Sequence, residues 1–201
     1  MNRERNSSGI NSYEKEFKFK PEVYLESKIR EFGQASWLDL CCGYGKALIQ
    51  TAAFFYKLGR QNMIKLKGID LVDTFPHVAK EITCVEFESG SVIDWVPEQT
   101  YDLITCVHGL HYPGDKLKVI ETSIKALNPT GLFIANLDLN NIVIEGKNTN
   151  AYLKKYLNNT VLFITPGVRY LSKLEPRLST LILNIQVLMM SMVQIIRGKT
   201  L

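Results

Sequence analysis

The chain has 201 residues, of which 46% are hydrophobic and 22% are charged, and its formal net charge is +4 at pH 7. This balance is typical of a single folded domain and excludes intrinsic disorder, collagen and disulfide-rich scaffolds. The charge is uneven, because residues 139–201 hold eight Lys or Arg against two Glu. Such an excess can attract an acidic partner, but neither a compact basic run nor interleaved aromatic residues accompany it, so nucleic acid is disfavoured as a partner.

Neither the start of the chain nor its cysteines indicate export. Residues 1–20 contain no apolar run of the kind that a secretory signal needs, so we expect a cytoplasmic protein. Cys41, Cys42, Cys84 and Cys106 lie in or beside apolar segments and form no CxxC spacing. We therefore expect small buried side chains in a reducing compartment, and no metal site.

The first predicted helix follows a polar start. Residues 21–32 place Leu25 and Ile29 on one face of a helix. Pro21 occupies the first helical position, and Gly33 follows the segment as a C-terminal cap. The pattern predicts a short amphipathic helix.

Strands and helices then alternate along the chain. Apolar runs predict five strands, at residues 36–40, 64–71, 84–88, 101–107 and 132–137. Periodic apolar positions predict helices at residues 46–58, 76–82 and 116–127, and an Asn-Pro-Thr-Gly turn is expected before the fifth strand. Strands that are apolar on both faces indicate a mostly parallel sheet covered on both sides, so we predict a doubly wound α/β domain.

The predicted sheet also predicts where a ligand binds. In doubly wound sheets, ligands bind beyond the carboxyl ends of the strands, where the strand order reverses. The segments that follow the strands are then expected around one crevice, at residues 39–46, 70–73, 88–92 and 106–112.

The last quarter of the chain is ambiguous. Residues 178–196 are nineteen consecutive uncharged residues, close to the length of a membrane span. Asn184, Gln186, Ser191 and Gln194 make this segment polar for a lipid environment, so the membrane is disfavoured as a partner. Two late strands or one buried helix remain as alternatives.

The turn in WLDLCCGYGKAL, residues 37–48, joins the first strand to a helix. Such a turn gives a ligand access to backbone amides near the positive end of a helix dipole. Leu48 stands where the dinucleotide fingerprint GxGxxG has its third glycine, which disfavours a nicotinamide cofactor. The phosphate-binding GxxxxGK[ST] pattern is absent, and a carboxylate, Asp39, precedes the glycines instead.

The segment LDLCCGYG resembles the first motif of the class I methyltransferases, which use S-adenosylmethionine. The family motif runs roughly as hydrophobic-D-x-G-x-G-x-G, and Cys41 stands in this chain where the first glycine is usual. Three further motifs and the turn before the fifth strand follow in the family order, so the resemblance covers residues 36–137. It implies a Rossmann-like methyltransferase fold with S-adenosylmethionine as the cofactor.

The resemblance also implies roles for individual residues. Asp39 is expected to bind the methionine amino group, and Asp70 the ribose hydroxyls, with Asp73 as a near alternative. Ser91 stands where the family often has the Asp that contacts adenine, and the Val92 amide is expected beside it. The implied cofactor-binding residues are Asp39, Cys41, Gly43, Gly45, Asp70, Leu71, Ser91, Val92 and Val107.

The fourth motif, YDLITCVHGLHY, carries the candidate catalytic residues. A hydroxyl acceptor needs a base, and His108 and His111 are suited to that role at neutral pH. Tyr13 and Tyr44 are lesser candidates for contact with the sulfonium. The segment lacks the Asn/Asp-Pro-Pro-Tyr/Phe pattern of family members that methylate nucleobase amines or glutamine amides, so a small-molecule acceptor is expected.

Two other functions compete with a small-molecule methyltransferase. A protein that binds the cofactor without transferring a methyl group is one alternative, and an RNA or protein methyltransferase is the other. We expect a single domain over residues 1–201, with a cap segment at 1–35, a cofactor-binding core at 36–137 and a divergent segment at 138–201. The sequence determines neither the methyl acceptor nor the oligomeric state.

Overall fold

A computed structural model of the chain describes residues 5–7, 12–136 and 161–164. The helices of this part are α1 (Tyr13–Phe17), α2 (Pro21–Phe32), α3 (Lys46–Lys57) and α4 (Lys116–Lys125), with one 3₁₀ turn at Gln61–Met63. The strands are β1 (Ala35–Leu40), β2 (Ile64–Asp70), β3 (Val85–Ser89), β4 (Tyr101–Cys106), β5 (Leu127–Asn136) and β6 (Val161–Ile164).

The six strands form one sheet in the order β3-β2-β1-β4-β5-β6. Strands β1 to β5 pair in parallel, and β6 pairs antiparallel with β5. The order reverses between β1 and β4, so the predicted doubly wound, mostly parallel sheet is confirmed. The reversal leaves a crevice at the carboxyl ends of β1 and β4.

Each face of the sheet carries its own apolar core. Trp37 and Leu103 point to one face, where they are buried with residues of α1, α2 and α3. Leu38 and Ile104 point to the other face, where they pack with residues of α4. This alternation along neighbouring strands follows from the two-residue period of a β-strand, and it explains why the strand sequences are apolar on both faces.

Helix α2 has the ends that the sequence predicts. Pro21 is its first residue, where the missing amide hydrogen costs no helical bond. Gly33 follows the helix with φ of +79°, and its amide donates to the Ile29 carbonyl. Tyr24 reaches from this helix to the sheet, since its hydroxyl donates to the Asp102 carbonyl at 3.1 Å.

The predicted helix at residues 76–82 is wrong. The connection from β2 to β3 is irregular and contains no helix. Phe75 stacks on Phe87 of β3 with ring centroids 4.8 Å apart, and Ile82 packs on the same apolar core. Because Phe75 and Ile82 both pack on the core from the two ends of this short connection, the chain contacts the sheet twice without forming a helix.

The predicted Asn-Pro-Thr-Gly turn lies inside β5, which begins at Leu127. The register of β4 and β5 pairs Tyr101 with Leu127 and Leu103 with Leu132, so residues 128–131 bulge opposite a single residue of β4. Lys28 of α2 holds this bulge, because its Nζ donates to the carbonyl and hydroxyl oxygens of Thr130, each at 2.9 Å. The sequence predicted a turn that precedes the fifth strand, but β5 pairs with β4 both before and after residues 128–131.

Strand β6 has no counterpart among the strands that the sequence predicts. It pairs residue by residue with the second half of β5, from Asn136 opposite Val161 to Phe133 opposite Ile164. The ambiguous apolar segment at residues 178–196 lies outside the described residues. Within the described part of the chain, no helix has the length and apolar character needed to cross a membrane.

Candidate functional site

A cavity of about 500 Å³ opens at the carboxyl ends of β1, β2 and β4. Its wall includes ten of the eleven residues that the sequence singled out as site candidates: Asp39, Cys41, Gly43, Asp70, Leu71, Ser91, Val92, Val107, His108 and His111. Gly45, the eleventh, does not line the cavity. Of the three secondary candidates, Tyr13 lines the cavity, whereas Asp73 and Tyr44 do not.

The carboxylate of Asp39 lies at the end of β1 in a buried hydrogen-bond network. Its Oδ1 accepts from the Thr105 hydroxyl at 2.6 Å and from the Tyr13 hydroxyl at 2.8 Å. Trp37 Nε1 donates to Thr105 Oγ1 at 2.8 Å, which directs the proton of that hydroxyl toward Asp39. No hydrogen bond from the described residues reaches Asp39 Oδ2, so this oxygen remains available to a ligand.

The environment of Asp39 holds its proton more tightly than water does. Burial raises the pKa of this carboxyl to about 6, although the hydrogen bonds from Thr105 and Tyr13 and the charge of Arg5 lower it. Burial and the nearby Asp39 charge raise the pKa of Tyr13 well above its usual value, so Tyr13 remains a hydrogen-bond donor. A cationic ligand group beside Asp39 would favour its ionised form.

Asp70 ties the glycine turn to the end of β2. Its Oδ2 accepts from the Gly43 amide at 2.7 Å, and its Oδ1 accepts from the Val72 amide at 3.2 Å. Each carboxylate oxygen has two lone-pair directions, so each can accept one more hydrogen bond. Asp70 thus holds the turn and still presents two acceptors to the cavity that it lines.

Backbone conformation makes the turn after β1 sharp. Cys41, Gly43 and Gly45 all have φ between +56° and +65°, in the left-handed region. Gly45 is the N-cap of α3, and a Cβ built there would overlap the ring of Phe87. Its role in this structure is therefore the close packing of the turn against β3.

A second part of the wall follows β2 and β3. Leu71 is 73% exposed directly after β2, and Val92 is buried after β3. Ser91, which precedes Val92, also lines the cavity, and its hydroxyl accepts from the Ile93 amide at 3.3 Å. This part of the wall combines apolar surface with one hydroxyl, a combination typical of small-molecule sites.

The loop after β4 contributes two imidazoles. The rings of His108 and His111 are nearly parallel, with centroids 6.2 Å apart. His108 has φ of +56°, and its amide donates to Asn136 Oδ1 at 3.2 Å, which fixes the loop to the end of β5. Both side chains line the cavity.

The four cysteines are free thiols, and three of them are buried. Cys41 is partly exposed and lines the cavity. A hydrogen bond with Cys41 and burial raise the pKa of the Cys106 thiol well above its usual value, so Cys106 stays protonated beneath the site. Among the described residues, no cluster of His, Cys, Asp or Glu has the arrangement of a metal site.

Two residues from the N-terminal segment complete the wall, and the sequence assigned neither of them to the core of the site. Tyr13 is a lesser candidate by sequence, yet it is buried against Asp39. Arg5 is not a candidate by sequence at all, because no pattern shows that the start of the chain crosses the carboxyl ends of β1 and β4. Only the folded chain brings these residues to the cavity.

Comparison with known proteins adds independent findings. A family model of the methyltransferase domain matches residues 14–172. No curated protein matches the chain. Similar solved structures include the SAM-bound amino pentose methyltransferase CalS10 from Micromonospora echinaspora, at 19% identity over 63% of this chain and 52% of that chain, with a TM-score of 0.44.

Two more solved structures are also similar to the chain. YjhP from E. coli is 22% identical over 59% of this chain and 49% of its own, with a TM-score of 0.40. The sugar N-methyltransferase KedS8 from Streptoalloteichus is 17% identical over 63% of this chain and 51% of its own, with a TM-score of 0.43. The chain spans about half the length of these solved structures.

The family match covers more than half of the 201 residues and includes every strand of the described sheet. It also includes every residue that lines the cavity except Arg5 and Tyr13. This match confirms the family that the sequence motifs resembled. The chain belongs to the methyltransferase domain family.

Proposed function

We propose that the chain transfers a methyl group from S-adenosylmethionine to a small-molecule acceptor. The observation that carries the proposal is the cavity of about 500 Å³ in which segments from residues 39, 70, 91 and 107 meet. Its size lies within the range of ligand sites, which is about 300 to 1,000 Å³. Its wall offers two carboxylates, a hydroxyl and apolar surface to one ligand.

The residues present fit the proposed cofactor. Asp39 Oδ2 is available to an ammonium group, and the spare acceptor positions of Asp70 suit the paired hydroxyls of a ribose. Leu71 and Val92 provide apolar surface for adenine, with Ser91 at its edge. When bound, S-adenosylmethionine supplies a methyl group on a positively charged sulfur.

The chemical task left to the protein is to orient two molecules and exclude water. Orientation of a nucleophile toward a reacting carbon can lower a barrier by several kcal/mol. Val107, His108 and His111 line the same cavity as Asp39 and Asp70, so an acceptor that enters the cavity can lie beside both imidazoles. We assign the role of general base to this pair, for acceptors that must lose a proton.

A small-molecule acceptor is supported by the loop after β4. Its residues, CVHGLHYP, carry two imidazoles and a mostly exposed Tyr112 at the cavity, and the Asn/Asp-Pro-Pro-Tyr/Phe pattern of family members that methylate nucleobase amines or glutamine amides is absent. The loop lines the cavity itself, so an acceptor bound there would contact both the imidazoles and the methyl donor.

Calorimetric titration tests the cofactor. S-adenosylmethionine and S-adenosylhomocysteine should bind, whereas NAD should not, because the glycine turn lacks the third glycine of the dinucleotide fingerprint. The proposal is overturned if neither S-adenosylmethionine nor S-adenosylhomocysteine binds. A screen of metabolites for formation of S-adenosylhomocysteine then distinguishes an enzyme from a protein that only binds the cofactor.

Substitution of His108 and His111 tests their role as the general base. With an acceptor from the screen, His111→Ala and His108→Ala should lower kcat by about 100-fold or more if each contributes to proton removal. His77, the third histidine of the chain, is exposed and does not line the cavity, so His77→Ala is the matched control. Full turnover by both cavity variants at saturating acceptor would exclude a histidine base.

A further inference from the structure

The start of the described chain places a cation in the cavity. Arg5 lines the wall, and its guanidinium carbon lies 5.8 Å from the centroid of the Tyr13 ring. Its Nε is buried and has no hydrogen-bond partner among the described residues. No carboxylate of those residues forms a salt bridge with Arg5 either, so the guanidinium has donors to spare.

The backbone next to Arg5 is anchored to the protein. The Ser7 amide donates to Gln50 Oε1 of α3 at 2.9 Å, and Gln50 Nε2 donates to Asn6 Oδ1 at 2.9 Å. Tyr13, over which Arg5 lies, donates to Asp39. The same short segment therefore positions the guanidinium and orients the carboxylate of Asp39.

The cavity offers few other donors to an anion. The Gly43 amide, which a glycine turn would present to a ligand, already donates to Asp70. Among the described residues that line the cavity, Arg5 is the one arginine or lysine, so it supplies the one permanent positive charge. Asp39 and Asp70 together repel an anionic group elsewhere in the wall.

We infer that Arg5 binds the carboxylate of the cofactor's amino-acid tail and so determines specificity for that zwitterion. This inference rests on the proposed function. A free α-amino acid tail carries one ammonium and one carboxylate, and Asp39 with Arg5 presents the complementary pair of charges. A planar guanidinium suits a carboxylate, because it can donate two parallel hydrogen bonds.

The test compares two cofactors that differ only in the carboxylate: S-adenosylmethionine and its decarboxylated analogue. The wild-type chain should bind S-adenosylmethionine about 10- to 100-fold more tightly, the range expected for hydrogen bonds to a charged group. Arg5→Gln should reduce this preference to about threefold or less, mainly by weakening S-adenosylmethionine binding. Arg5→Lys keeps the charge but not the planar donor pair, so an intermediate preference is expected.

The matched control is Arg30→Gln. Arg30 lies on α2, is mostly exposed and pairs with Glu26 at 2.9 Å, away from the cavity. It should leave both affinities unchanged, and circular dichroism should show that all three variants are folded.

Each other outcome has a definite meaning. If the wild-type chain binds neither cofactor, the proposed function itself fails. If the preference survives Arg5→Gln, or if that variant weakens both cofactors equally, the inference about Arg5 is wrong and the proposed function stands.

Discussion

Asp39 is the residue in which structure and chemistry are most closely linked. Its carboxylate is buried, and its Oδ1 takes two hydroxyl hydrogen bonds while Oδ2 takes none from the described residues. The two bonds do not compensate for the loss of water, because the pKa of Asp39 is still raised to about 6. Without a cationic ligand, the ionised form of Asp39 therefore costs the fold free energy.

This cost predicts a pH dependence of stability. The pKa of Asp39 is about 6 in the folded chain against an ordinary value of 3.8, so the folded state binds the proton more tightly. The stabilisation of the fold by the protonated Asp39 carboxyl is complete below about pH 3.8 and is lost as the pH rises through about 6. The difference between these two pKa values corresponds to about 3 kcal/mol.

Asp39→Asn checks the prediction, because the amide oxygen can still accept both hydroxyls but cannot titrate. Relative to wild type, the free energy of unfolding of this variant should rise by about 2 to 3 kcal/mol between pH 4 and pH 7, measured by urea denaturation without ligand. Asp94→Asn, at an exposed carboxylate, is the control. Parallel pH profiles for wild type and Asp39→Asn would contradict the assignment.

At the scale of elements, the strand-turn-helix unit of β1 and α3 organises the site. Asp39 ends the strand, Gly43 is bound by Asp70 from β2, and Gly45 begins α3 against Phe87 of β3. The turn is thus attached to β2 and to β3. The two glycines serve different purposes, since Gly43 lines the cavity and Gly45 allows close packing.

Comparison of two glycines separates these effects experimentally. Gly45 and Gly59 have nearly the same φ, +65° and +66°, but a Cβ at Gly59 would meet nothing within 4 Å. Gly59→Ala should therefore cost only the left-handed strain, about 1 to 2 kcal/mol. Gly45→Ala should cost a further 1 to 3 kcal/mol, roughly, from overlap with the Phe87 ring.

A double variant identifies the source of that extra cost. Phe87→Leu should partly restore the stability of Gly45→Ala in a double-mutant cycle by denaturant unfolding. Equal losses for Gly45→Ala and Gly59→Ala would show that the turn can move away from Phe87.

At the scale of the whole molecule, the cavity joins parts of the chain that are far apart in the sequence. The N-terminal segment, the ends of three parallel strands and the loops after β2, β3 and β4 all reach it. A ligand that contacts all of them binds only the folded chain. Its binding free energy is then added to the stability of the whole fold.

Ligand-dependent melting tests this coupling. S-adenosylhomocysteine at 100 times its dissociation constant should stabilise the chain by about 2.7 kcal/mol. For a chain of this size, that corresponds to a rise of about 5 to 10 °C in the melting midpoint. NAD at the same concentration should leave the midpoint unchanged, and equal shifts with both nucleotides would contradict a specific site.

The sequence by itself determined the five parallel strands and the residues at their carboxyl ends. Apolar runs of strand length are a local signal, and the carboxyl ends of parallel strands share one edge, so the strand pattern alone places Asp39, Asp70 and Val107 together. The same reasoning failed for residues 76–82 and for the bulge in β5, where contacts with the sheet outweigh local propensity.

Only the tertiary structure decided which residues complete the cavity. Arg5 and Tyr13 precede every strand, and no spacing relates them to Asp39. The hydrogen bond from Ser7 to Gln50 of α3 holds the chain beside Arg5, and the hydrogen bond to Asp39 holds Tyr13. Likewise, Gly45 belongs to a motif in the sequence but contacts Phe87 in the fold. Hydrogen bonds and packing between segments far apart in the chain depend on the folded backbone, and a local pattern carries no record of them.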